Sequence, residues 1–449
     1  MQIFVRDKKF YKATLKIAVP IVLQSMITIG VNMIDTLMVG TLGEIPLSGS
    51  SLANEFINLF HILCMGMGGG AAVLTSQYWG AKDIPSFKKV TTIMLRLCLA
   101  IAAVFTAFTI IAPETIMRMY TNDEAIIVDG VRYFRYSAFA YIPLGIALCI
   151  TQVLRSCRSV KLPLITSIVA FFANIFINWV LIFGKLGFPE MGIEGAALAT
   201  LLVRIMEMAI IGGYFMFVDK KIGYRVKDLF DKCSDYIKRY ITFGIPVLIS
   251  DALLGVGNMM MTVIVGHIGA SFVAANAIIA QITRMSTVFT QGVSNASGIL
   301  TGNTLGTGDK KKAYDQGITF LALSVLVGIV AAIVILTLTP IVLSGYTLEA
   351  ETMNVANQLM WAVAIMVVFQ CVQAVLTKGV LRGGGDTKFL MLADVLFLWL
   401  ASIPLGYLAG LVFHLPAFWV YAALKTDWII KSVWCTIRLL KGNWMKKTV

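Results

Sequence analysis

Apolar residues gather in this chain into runs of about twenty, set apart by short stretches rich in Lys, Arg, Asp, Gly and Pro. A run of that length, wound as an α-helix, spans the hydrocarbon core of a bilayer. The runs do not alternate in period two, which argues against a membrane β-barrel. Twelve spans are predicted: roughly 14–39, 50–78, 89–112, 132–154, 163–184, 193–217, 240–265, 273–303, 313–339, 352–377, 389–411 and 416–437. The fold class expected is an all-α polytopic membrane protein.

Composition agrees with this pattern. The chain has 449 residues, 58% hydrophobic and only 14% charged, with a mean hydropathy of +0.83. Soluble chains carry about a quarter charged residues. The basic, amphipathic start "MQIFVRDKKFYKATLK" leads into an apolar run too long for a signal-peptide core. The seven cysteines (64, 98, 149, 157, 233, 371, 435) show neither CxxC nor ligand spacing, and read as free packed thiols.

The formal charge of +13 raises the question of nucleic acid, and its distribution answers it. With an inside N-terminus, 28 Lys and Arg residues fall on inside segments, four on outside segments and five within spans. The positive-inside rule then places both termini in the cytoplasm of a multi-pass plasma-membrane protein. The excess charge is topological, and no nucleic-acid partner is called for. The one long inside loop, residues 218–239, is charged and lies at mid-chain. It reads as a linker between an N-terminal lobe, 1–217, and a C-terminal lobe, 240–449.

The lobes are a repeat. At an offset of 226, residues 18–83 overlay 244–309 with 12 identities in 66 pairs, including Pro20/Pro246, Asn32/Asn258, Gly43/Gly269, Gly80/Gly306 and Asp83/Asp309. Chance gives about four or five. "VLRSCRSVK" (153–161) meets "VLRGGGDTK" (380–388) at offset 227. Six spans per lobe make the repeats parallel, related by an axis along the membrane normal. Two such lobes around a central cleft have the geometry of alternating access. Asp35 breaks the symmetry, because it falls opposite Met261 although Asn32, Met33 and Thr36 beside it are matched.

The segments "IPLSGSSLA", "MGMGGGAAVLTSQYWGAKD", "NIFINWVLIFG", "MGIEGAALAT" and "VLRGGGDTK", in this order and twofold arrangement, resemble the multidrug and toxic compound extrusion (MATE) family over essentially the whole chain. The resemblance implies a twelve-helix secondary antiporter, in two six-helix lobes, that exports organic and often cationic compounds in exchange for Na⁺ or H⁺.

A charged carboxylate mid-membrane costs about 2.5–3.5 kcal/mol on insertion scales, so Asp35 must be protonated, paired or hydrated. Asn174 and Asn178 share one face of the fifth span, and Thr200 lies in a small-residue stretch of the sixth. One carboxylate, two amide carbonyls and a hydroxyl make an all-oxygen site for a hard cation. The resemblance implies the same positions: an acid on the first helix, two amides or an amide and an acid one turn apart on the fifth, and a Thr on the sixth. Asp35, Asn174, Asn178 and Thr200 match it. Asn178 stands where some relatives have Asp, and this leaves Na⁺ and H⁺ both open. Pro20, on the same helix, is the hinge candidate that the resemblance implies.

The resemblance has departures. In the better-studied bacterial branch of the family the seventh helix carries a Glu and the tenth an Asp; Leu254 and Cys371 align with those positions here, so the site they form is expected to be absent or rebuilt. Asp251, one turn from Leu254, is either a substitute acid or a residue near the inner mouth. Gln370 and Gln373 flank Cys371 and, with Glu55 in the second span, are candidates for lining a substrate cleft. Asp394 reads as a structural partner, Arg204 and Glu207 as an i,i+3 pair, and Arg284, Lys425, Asp427 and Lys431 as internal pairs or snorkelling residues. The 22 Met residues and 11% aromatics suit a cleft that accepts varied ligands.

The competing function is a flippase for a lipid-linked saccharide or cell-wall precursor, which calls for a basic cleft. Asp35, Glu55 and Asp251 favour cationic cargo instead. No HExxH, GxSxG or P-loop is present, so neither an enzyme, nor a cofactor, nor direct ATP-driven transport is expected. A two-lobe architecture needs no partner subunit, so a monomer is expected.

Overall fold

The computed structural model describes residues 4–346 and 348–446. No strand occurs among them. The helices, in chain order, are α1 (Lys8–Gly40), α2 (Glu44–Gly80), α3 (Ile84–Ile111), α4 (Glu124–Ser156, with a 3₁₀ turn at Ala138–Ala140), α5 (Lys161–Phe183), α6 (Gly192–Val218), α7 (Ser234–Ile268), α8 (Ala270–Gly306), α9 (Lys310–Leu343), α10 (Ala350–Gly383) and α11 (Thr387–Val412). Each of these eleven is long and apolar enough to cross a membrane. The predicted twelfth span is helical but interrupted. Lys425, at φ −115° and ψ 18°, divides it into Ala417–Leu424 and Thr426–Leu440, together α12. Most helices run several residues past their predicted ends, because polar flanks carry no hydropathy signal yet continue the backbone hydrogen bonding.

The repeat recurs in local structure. Asp83 and Asp309 cap α3 and α9, accepting from the backbone N–H of Ser86 at 3.1 Å and Lys312 at 2.9 Å. Gly43 and Gly269 hold the turns before α2 and α8 at φ 115° and 147°, where a side chain is strained. Near their ends α2 and α8 cross backbone to backbone. A Cβ on Gly80 would strike the Asn303 carbonyl, and one on Gly306 would strike that of Gln77. The four positions are repeat mates, so this crossing lies on the local symmetry axis. Asn303 Nδ2 donates to the Ser76 carbonyl at 2.9 Å and secures it.

The chain divides into two compact units. One comprises Leu23–Thr75 and Asp83–Tyr240. The other comprises the described residues up to Val22, Ser76–Lys82 and those from Ile241 on. The partition of α1 falls two residues past Pro20, which α1 carries without a break.

In the first unit the mid-chain loop is structured. A 3₁₀ turn, Val226–Phe230, is tied to α3 by Lys88 Nζ on Asp228 Oδ2 at 2.9 Å and by Arg96 on the Leu229 carbonyl at 2.8 Å. The second unit packs around an apolar cluster that includes Met261, Phe272, Ile279, Ile335, Leu359 and Val367. All seven cysteines are buried thiols.

Candidate cation and substrate site

The first unit contains a cavity of about 460 Å³, its open mouth included, walled by α1, α5 and α6. Each helix presents one stripe to it: Thr28, Val31, Asn32 and Asp35 from α1; Ser167, Ala170 and Asn174 from α5; Thr200, Val203, Arg204 and Glu207 from α6. The i, i+3, i+4 and i+7 spacing puts these residues on single helix faces.

Asp35 is half-buried at this wall, and Asn174 and Asn178 are 3% and 2% exposed. Asn178 Nδ2 donates to Asp35 Oδ1 at 2.6 Å and to Asn174 Oδ1 at 3.2 Å. Asn178 Oδ1 is buried with no hydrogen-bond partner. A buried amide oxygen without a donor is costly, so an orphan here marks room for one. Turning the amide over presents that oxygen to Asp35 in the same space, so the one side chain has a donor to offer a carboxylate and an acceptor to offer a carboxylic acid. Tyr133, buried on α4, places its hydroxyl against Thr200 and 3.4 Å from Asn54 Oδ1.

The four positions expected to hold a cation are thus brought together. With the Asn178 amide turned over, the groups these four residues offer are all oxygens, the donor type that hard cations take. Among the described residues no cluster of three His, Cys, Asp or Glu suited to a metal ion occurs. The cleft candidates are placed differently. Glu55 is exposed on α2 and does not line the cavity. Asp251, Gln370 and Gln373 belong to the other unit. There Asp251 Oδ1 is held by Arg382 Nη2 at 3.0 Å. Gln373 Oε1 accepts weakly from Thr377 at 3.4 Å, and Gln370 Oε1 is buried without a partner.

The Asp251–Arg382 clasp has a counterpart in the other repeat. Arg155, the repeat mate of Arg382, donates to Gln24 Oε1 at 2.6 Å. Asp251 lies one residue past the mate of Gln24. Leu254 packs against the apolar cluster, and Cys371 Sγ lies 3.0 Å from Thr290 Oγ1. Leu254 and Cys371 are therefore both taken up in packing. Asp394, with its partners Lys431 and Ser250, is buried as a structural residue would be.

Sequence reasoning passed over Tyr133, Thr28 and Ser167, and read Arg204 and Glu207 as a pair apart from the site. The available signal was spacing: Arg204 is i+4 from Thr200, and Thr28 is i−7 from Asp35.

Both halves of the chain, residues 20–180 and 246–408, match the family model described as MatE. A probable multidrug resistance protein NorM of Thermotoga maritima is 24% identical over 439 residues, covering 98% of this chain and 94% of that protein. One of the same description from Listeria monocytogenes is 26% identical, covering 96% and 94%. A solved structure, described as the outward-facing conformation of a multidrug resistance MATE family transporter of the MOP superfamily, superposes with a TM-score of 0.86 at 17% identity, covering 98% of this chain and 99% of that one.

Proposed function

The chain belongs to the MatE family, the multidrug and toxic compound extrusion transporters, and from that premise we propose that it exports organic, cationic compounds across the plasma membrane in exchange for Na⁺ or H⁺, with both termini cytoplasmic. The observation that carries the coupling is the Asp35–Asn178–Asn174 chain of hydrogen bonds on the wall of an open cavity. A carboxylate in a membrane span is stable only when neutralised or solvated. Asp35 therefore takes up a coupling cation from the side with the higher electrochemical potential. Asn174, Asn178 and Thr200 replace part of that ion's hydration, or accept the proton of the neutral acid.

In this reading, loading Asp35 changes the electrostatics of α1 against α5 and α6 and biases the two access states, so that cation and cargo alternate. Pro20 removes a backbone hydrogen bond from α1. It sits where α1 passes from one compact unit to the other, and it serves as the hinge. The cargo is a small organic cation, the bilayer is the partner, and the chain acts as a monomer.

The test uses purified protein in proteoliposomes, with ethidium efflux followed under separately imposed Na⁺ and pH gradients. Wild type is expected to transport under one of them, and Asp35→Asn under neither. Gradient-driven transport that persists in Asp35→Asn reduces Asp35 to a packing residue.

A further inference from the structure

The cavity contains a cation of its own. Arg204 follows Thr200 by four residues on α6 and lines the same wall. Its Nη1 pairs with Glu207 Oε2 at 2.7 Å, with the two side chains 33% and 15% exposed. That pair uses one of the five N–H donors of a guanidinium. No other hydrogen bond from Arg204 is present among the described residues. Ionisable groups within its electrostatic reach include Asp35 from α1, His61 from α2, Tyr133 from α4 and Glu207 from α6. The wall supplied by α5 is uncharged, consisting of Ser167, Ala170 and Asn174.

With Asp35 ionised, the cavity lining holds two carboxylates and one guanidinium, a net charge of −1. The remaining charge can be cancelled in two ways. A proton converts Asp35 into a neutral acid, turns Asn178 to accept, and leaves the Arg204–Glu207 pair untouched. A sodium ion keeps its full charge beside a guanidinium in a partly dehydrated site, where like charges repel far more than in water.

We propose that Arg204, positioned by Glu207, is the ion-selectivity residue of the Asp35 cavity: a resident cation that excludes Na⁺ and leaves the proton as the coupling ion. The proposal rests on the antiporter reading and deepens it.

The experiment measures binding of ²²Na⁺ to purified protein in detergent, beside efflux under Na⁺ and pH gradients. The variants are Arg204→Gln, Arg204→Lys, the double variant Arg204→Gln/Glu207→Gln, and Arg204→Gln/Asp35→Asn. Wild type and Arg204→Lys are expected to run on the pH gradient and to ignore Na⁺. Arg204→Gln is expected to bind Na⁺ about tenfold more tightly or better, as removal of a nearby like charge predicts, and to lose that binding when Asp35→Asn is added. The double variant leaves no carboxylate stranded by loss of Arg204, so it folds where Arg204→Gln fails to, and it too gains Na⁺ binding. Wild type that binds Na⁺ with an affinity unchanged in Arg204→Gln and in the double variant overturns the selectivity role while leaving the antiporter intact. Wild type that transports under neither gradient overturns the antiporter reading itself, and the proposal with it.

Discussion

The sharpest stability prediction concerns Lys431. Its Nζ lies 2.8 Å from Asp427 Oδ2 and 3.3 Å from Asp394 Oδ1, and all three side chains are 3–4% exposed. The outer carboxylate oxygens are bonded as well. Ser250 Oγ donates to Asp394 at 2.6 Å, and Ser402 Oγ donates to Asp427 at 2.9 Å. Ser402 reaches Asp427 because α11 carries a π-helical turn, Leu398–Ser402. Replacing Lys431 by Met fills nearly the same volume but strands two buried carboxylates. Breaking one buried pair costs about 3–5 kcal/mol, and two stranded acids place this variant at the upper end. Replacing the triad together, Lys431→Met/Asp394→Asn/Asp427→Asn, removes all three of its charges, and uncharged replacement of a buried ion-pair group is often neutral or stabilising by about 1–4 kcal/mol. Unfolding in mixed detergent micelles, followed by tryptophan fluorescence, measures both. A Lys431→Met variant as stable as wild type, or a triple variant as unstable as Lys431→Met, refutes the view that Lys431 exists to neutralise these acids.

Two further outcomes are expected. Gly306→Val drives a side chain into the Gln77 backbone, which cannot move aside as a flexible side chain would, and should cost upwards of about 1–3 kcal/mol. Gly266→Ala, with nothing near its Cβ, should be neutral or gain up to about 1 kcal/mol; equal effects from the two, in the same unfolding assay, would refute the crossing. In the mid-chain loop, burial works to raise the Asp228 carboxyl, but the Lys88 ammonium and the Arg225 backbone N–H outweigh it and hold its pKa below the ordinary value. A carboxylate depressed on folding contributes stability above its unfolded pKa of about 4 and loses it as pH falls through the folded value. Asp228→Asn should therefore speed hydrogen exchange in residues 220–232 at neutral pH and match wild type once Asp228 is protonated; a difference that survives in acid refutes the linkage.

Much of this protein was legible in advance because a membrane leaves a chain few options. Helix number and order follow from run length, and the duplication follows from Pro and Gly pairs whose backbone duties recur, as at Gly80 and Gly306. Asp35 announced itself by cost, and Asn174 with Asn178 by spacing. Three features were not legible. Hydropathy averages over the break at Lys425, since the residues on either side stay helical. The loop between the halves reads as charged linker, yet Lys88, Arg96 and Tyr224 fasten it to α3, and such pairings between distant residues leave no periodic trace. Arg204 looked complete with its i,i+3 partner. Only the register of α6 against α1 shows that the pair shares a cavity with Asp35.

The two repeats partner their acids differently. In the C-terminal repeat four acids are paired with bases: Asp251 with Arg382, Asp386 with Arg438, and Asp394 and Asp427 with Lys431. Buried pairs of this kind resist change, because moving either partner strands the other. In the N-terminal repeat the clasp equivalent to Asp251–Arg382 uses neutral Gln24, and the acid that breaks the symmetry, Asp35, is hydrogen-bonded by amides beside a cavity. Amides stabilise either charge state by rotating, at the cost of a hydrogen bond rather than a stranded charge. On the proposed antiporter reading, this asymmetry puts the response to ions at Asp35, in the cavity that Arg204 also lines.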